Sequence, residues 1–171
     1  VMFVGEAPGA EENETGRPFV GRSGKLLRSM IQAIGLEASD YYIANILKCR
    51  PPNNRKPDPE EIRDCIPYLR KQIEVIRPNL IVLLGKTAVE GLIPDKAENK
   101  VGRLRDMSKE MGSLSCYGIP ALITYHPSAL LQGPQWRPKA KEDFSFLQKI
   151  SRDFILERKS LREETAFEDP Y

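Results

Sequence analysis

The chain carries one histidine and three cysteines in 171 residues, and its 26 basic side chains outnumber its 24 acidic ones by only two. It has no apolar run approaching the length of a membrane span and no secretory or transit signal, so we expect a soluble protein with no membrane partner. A net charge of +2 does not by itself argue for nucleic-acid binding. The cysteine pattern suits a reducing cytoplasm, where thiols serve metals more often than disulfides. Phosphate motifs are missing as well. A P-loop needs glycine where Phe19 stands and serine or threonine where Leu26 stands, and a dinucleotide fingerprint is not supplied by Gly5, Ala7 and Ala10. These absences make a nucleotide-binding α/β protein a poor reading.

What is present organises itself around residues 1–24. Val1–Val4 has the length and branching of a buried parallel strand, and Gly5, Pro8 and Gly9 end it in a loop. Phe19 stands out between Pro18 and Val20, because no helix or strand period in this polar stretch accounts for it. Leu26, Leu27, Met30, Ile31 and Ile34 then recur at helical spacing. Tyr41–Leu47 reads as a second strand, with Asn45 the polar residue in its apolar half. The proline-rich stretch 48–59 wraps the surface, and Asp58-Pro59 opens a helix that Pro67 is expected to kink or split.

Leu80–Leu84 is the clearest buried strand, followed by a short helix over Lys86–Leu92. Periodicity fades from Ile93 to Cys116, a stretch read as an excursion that contains a hairpin. Ala121–Thr124 is a fourth strand, Lys139–Lys159 a final helix, and 160–171 a charged, loose tail. Residues 1–159 therefore form one domain, a three-layer α/β/α arrangement around a four-stranded parallel sheet.

That topology sorts the unusual residues. Glu6 follows strand one, Asn45 ends strand two, Gly85 follows strand three and the lone histidine, His126, follows strand four. Ligand crevices in open parallel sheets form at this edge. Three basic clusters also follow strand ends: Arg17, Arg22, Lys25 and Arg28; then Lys48, Arg50, Arg55 and Lys56; then Arg137, Lys139 and Lys141. If they converge on one rim, they meet phosphates there; taken singly, each is a solvated loop or helix start.

Four blocks now carry a resemblance: Gly5-Glu6-Ala7-Pro8-Gly9, Gly16-Arg17-Pro18-Phe19-Val20-Gly21, Asn45-x-Leu47-Lys48-Cys49-Arg50-Pro51-Pro52, and His126-Pro127-Ser128-x-Leu130-Leu131. In order and content they are similar to the signature blocks of family 4 uracil-DNA glycosylases, the iron-sulfur branch of that superfamily. The resemblance implies hydrolysis of the N-glycosidic bond of uracil in DNA by base flipping, starting base excision repair. It implies that Gly5, Ala7, Phe19, Asn45 and His126 bind uracil, with Phe19 as the stacking face. Asn45 would accept from N3–H and donate to O4, a pattern cytosine reverses. His126 would stabilise the charge that develops on O2. Glu6 and Glu12 would position or activate water, Glu12 alternatively walling off the thymine methyl, and either is otherwise a surface acid of the turn. Arg17, Ser128, Leu130 and Leu131 would contact DNA, the two leucines as a wedge or, alternatively, as ordinary core.

The family's cluster uses four cysteines, and Cys49 and Cys65 match the later pair. The earlier pair would lie upstream of Val1, which falls inside the first strand, so we expect a preceding segment and a 4Fe-4S cluster in the full-length protein. Zinc is the weaker alternative. Cys116 matches no ligand position and is read as an idle buried thiol. Ala7 stands where better-known branches carry an aspartate base, Gln132 where the family has arginine, and Asn13 where aspartate is common. These departures motivate a rival reading, a non-catalytic glycosylase-like module that binds DNA or uracil. A monomer in the cytoplasm, acting on uracil-containing DNA, is expected.

Overall fold

The computed structural model describes residues 1–110 and 112–166, with backbone alone over 158–166. Its core is the run of apolar strands read from the sequence. β1 (Met2–Gly5), β2 (Tyr42–Asn45), β3 (Ile81–Leu84) and β5 (Ile119–Thr124) are parallel, and a two-residue β4 (Ser115–Cys116) pairs antiparallel with β5. The sheet order is β2-β1-β3-β5-β4. Four parallel strands are thus as expected, and the hairpin of the excursion adds a fifth at the edge.

Alternation along the strands divides the core in two. Met2, Val4, Ile81, Leu83, Ala121 and Ile123 face α3 (Pro59–Ile76), α4 (Lys86–Leu92) and α5 (Val101–Ser108). Phe3, Val82, Leu84 and Leu122 face α2 (Arg22–Ala33) and α7 (Arg137–Ala166). Strands covered on both sides read as continuous apolar runs, as β1 and β3 do.

Several elements depart from the expectations. α3 runs unbroken through Pro67. The carbonyl that Pro67 leaves unbonded belongs to the exposed Arg63, where water can replace the lost donor. The acidic run beyond Gly9 forms a short helix, α1 (Ala10–Thr15), and the excursion holds α5 beside its hairpin. α7 continues to Ala166, past the expected end at Lys159, and only 167–171 of the expected tail lie outside the described residues. The remaining helix, α6 (Pro127–Gln132), opens directly after β5.

Candidate active site

β1, β2, β3 and β5 end at one edge, where a cavity of about 440 Å³ is lined by Glu6, Ala7, Glu12, Phe19, Asn45, His126, Ser128 and Gln132, among others. Register explains the first pairing. Gly5 lies opposite Asn45 in the β1–β2 ladder, and a Cβ on Gly5 would come within 2.4 Å of the Phe19 ring and 2.8 Å of Asn45 Oδ1. Only glycine leaves room for both side chains. Phe19 itself takes φ 54° and is 5% exposed, so the loop accepts a left-handed aromatic to bury its ring at the strand ends. Arg28 holds that conformation by donating to the Phe19 and Pro18 carbonyls.

Asn45 is 6% exposed, and its Oδ1 is the one buried side-chain N or O atom without a hydrogen-bond partner among the described residues. The Asn45 backbone carbonyl accepts from Lys48 Nζ at 2.7 Å, and the same ammonium donates to the Gln72 side chain. An unpaired buried acceptor costs on the order of 1–3 kcal/mol unless a ligand satisfies it.

His126 caps α6. Its Nδ1 accepts from the Ser128 amide at 3.1 Å and lies 2.8 Å from Ser128 Oγ. An Nδ1 that accepts a backbone N–H leaves the proton on Nε2, so the neutral ring presents a donor on its other side. Burial pushes its pKa down to about 4, which keeps the ring neutral at physiological pH. Gly85, at φ 86°, passes beneath it, and a Cβ there would lie 2.9 Å from that of His126. The His126 and Phe19 ring centroids are 6.1 Å apart.

The two acids differ. Glu6 Oε2 accepts from Thr87 Oγ1 in the first turn of α4. Glu12 Oε1 accepts from the Val20 and Gly21 amides at 3.0 and 2.9 Å, which ties α1 to the segment directly after Phe19. Ala7 lines the cavity and packs on the core. Ser128 is engaged with His126, whereas Arg17 lies in a neighbouring groove beside Asn13 and Lys48. The leucines divide: Leu130 is 2% exposed and lines a groove between α2 and α7, which is a core position, while Leu131 is half-buried. Of the two alternatives, wedge or ordinary core, the burial of Leu130 favours core for that residue, and Leu131 is the more exposed of the pair.

Thr87, Arg22, Asn54 and Arg55 join the site without having been singled out as site residues. Thr87 was findable, since Gly85-Lys86-Thr87 follows a strand at the same sheet edge. Asn53 and Asn54 both take φ 54°, a turn geometry that the Pro-Asn-rich sequence permits without dictating.

Cys49 is exposed in the proline-rich loop, and Cys65, on α3, is partly buried against the core. No group of three His, Cys, Asp or Glu residues is placed to hold a metal among the described residues. The donor set here is two thiols, half of what a four-thiolate cluster takes. Cys116 is buried with its pKa pushed up to about 12 by that burial, as befits an idle thiol.

This parallel sheet and strand-end cavity correspond to a described class. The profile of the family "Uracil DNA glycosylase superfamily" matches residues 1–153. Relatives narrow it. The chain is 44% identical over 146 residues to a "Type-4 uracil-DNA glycosylase" of Archaeoglobus fulgidus, covering 84% of this chain and 73% of the relative. It is 43% identical over 154 residues to one of Sulfurisphaera tokodaii, with 88% and 70% covered. It is 46% identical over 132 residues to one of Thermotoga maritima, with 77% and 66% covered. The chain belongs to the uracil-DNA glycosylase superfamily and, within it, to the type-4 branch.

Proposed function

We propose that the chain is a monofunctional uracil-DNA glycosylase acting in base excision repair on uracil flipped from DNA. One observation carries the reading: the buried, unpartnered Oδ1 of Asn45 in a cavity that also holds the Phe19 ring and the neutral His126. Uracil supplies what that acceptor lacks. Its N3–H donates to Oδ1 and its O4 accepts from the amide, whereas cytosine has an acceptor at N3 and would leave Oδ1 unpaired. Phe19 stacks on the base, and the close approach at Gly5 and Ala7 bounds it.

Bond cleavage leaves negative charge on uracil O2 and positive charge on the sugar. His126 Nε2–H donates to O2 from a position fixed by Ser128, and it needs no protonation to do so. Glu6 retains Oε1 for water, with no partner recorded among the described residues, while Thr87 fixes the carboxylate through Oε2. Glu12 acts as a positioning residue that holds the Phe19 segment. Arg17, Ser128 and Leu131 contact the DNA in this reading. Cys49 and Cys65 would supply two thiolates toward a 4Fe-4S cluster, which takes four. None of the chemical steps above passes through that cluster. No described helix is long and apolar enough to cross a membrane.

Multiple-turnover cleavage of a U:G duplex tests the reading. Release of many uracils per protein, lowered on the order of 10²–10³-fold by His126→Ala and absent on a matched T:G duplex, is expected. Retention of DNA without turnover would favour the non-catalytic module.

A further inference from the structure

Residues 134–139 form an exposed run immediately after α6, and the chain's only tryptophan, Trp136, lies within it at 38% exposed. A large aromatic left open to water has either a packing reason or a partner. Packing accounts for one face: Trp136 stacks on Tyr125 with ring centroids 5.3 Å apart. Tyr125 in turn has the Arg105 guanidinium 5.1 Å from its centroid. Arg105 is locked by two 2.6 Å bonds to the fully buried Asp143 and by one to the Lys139 carbonyl. The platform behind Trp136 is thus anchored to the interior. A rigid, half-exposed ring loses little conformational entropy on binding.

The platform is also next to the catalytic segment. Tyr125 precedes His126, and the Trp136 amide donates to the carbonyl of Gly133, which follows Gln132 at the cavity rim. One cation lies beside the ring and another adjoins it in sequence. Lys139 Nζ lies 5.5 Å from the Trp136 centroid, and Arg137 Nε donates to the Leu130 carbonyl, which ties this segment to α6. An aromatic face with flanking cations is the chemistry that holds a nucleic-acid strand, stacking on a base while neutralising its phosphates.

We propose that Trp136, backed by Tyr125 and flanked by Arg137 and Lys139, contacts the DNA strand beside the flipped nucleotide, giving grip at the rim where Gln132 carries no charge. The proposal rests on the glycosylase reading for its partner.

Because Trp136 is the only tryptophan, its emission reports on this surface alone. The test titrates the protein with a duplex carrying an uncleavable tetrahydrofuran abasic analogue, binding being followed independently by anisotropy of labelled DNA. Saturable quenching of Trp136 in step with binding is expected. Trp136→Ala should weaken binding about tenfold, while Trp136→Phe, which keeps an aromatic face, should stay within about threefold of the parent. Lys139→Ala should reduce the slope of log affinity against log salt by about one. Circular dichroism confirms that each variant is folded. Emission unmoved at full binding, with Trp136→Ala within twofold of the parent, would overturn the proposal. Uracil release by the same parent preparation from a matched uracil-containing duplex separates the two readings: an active protein with an unmoved Trp136 overturns this contact alone, and an inactive one overturns the glycosylase reading.

Discussion

Two polar clusters sit within a few residues of each other at the end of β5, and they are built on opposite terms. In one, Thr124 Oγ1, Arg105 and Lys109 all converge on Asp143, and every partner is internal. Ser108 completes it by donating to the Arg105 carbonyl and accepting from the Ile123 amide. In the other, Asn45 keeps an acceptor unpaired and His126 turns its Nε2 proton away from its cap partners. A buried group that has found its partners holds a fold together. One that has not is poised for something that is not part of the chain. The fully paired cluster fixes β5, α5 and α7 beneath the segment that carries His126, so it sets the geometry in which the unpaired one operates.

Substitutions on each side should separate these roles. The largest effect is expected at Asn45→Ala, which removes both polar atoms that match uracil. Excision should fall about 10³-fold or more, with thermal stability unchanged or raised because an unsatisfied acceptor is gone. Paired kcat/KM and melting measurements check this, and a large loss of stability would move Asn45 to the structural side. Asp143→Ala should do the reverse. It strands Arg105 without its partner in the interior, at an expected cost of about 3–5 kcal/mol in denaturant unfolding, while activity of the folded fraction falls far less than with Asn45→Ala.

The pH dependence sharpens the contrast with a smaller effect. The folded pKa of His126 is depressed to about 4, below the 6.5 of the unfolded chain. Protons are therefore taken up by the unfolded state first as the pH falls. This contribution to stability is complete above about 6.5, is lost between 6.5 and 4, and levels below that, amounting to roughly 3 kcal/mol over the window. His126→Gln should flatten it, as read by stability against pH in the two proteins. The Nε2–H donor survives protonation, but the second proton goes to Nδ1 and breaks the hydrogen bond from the Ser128 amide that orients the ring, so excision should hold until the pH approaches 4.

The strands and the site edge were legible in the sequence because apolar runs ended by glycine announce buried parallel strands, and the topology then aligns their ends. Gly5, Phe19, Asn45 and His126 were found by that route and by resemblance together. α5 was not, because Arg105 and Asp106 break its apolar period and the reason Arg105 is buried is Asp143, 38 positions later. Long-range pairing of charges leaves no local signal. Glu12 was visible as an acid but not as a fastener, since its partners are backbone amides that any sequence provides. Leu130 and Leu131 look alike in sequence, and only the packing of α2 and α7 separates the buried one from the half-exposed one.

The claim that the cavity waits for uracil is tested most directly by nitrogen-edited NMR of the free protein titrated with uracil and with cytosine. Uracil should shift the Asn45 side-chain amide and the His126 Nε2–H together at one saturating concentration, with His126 Nδ1 unprotonated throughout, and cytosine should shift neither at that concentration. Equal responses to the two bases, or a uracil response that leaves Asn45 unmoved, would contradict the account.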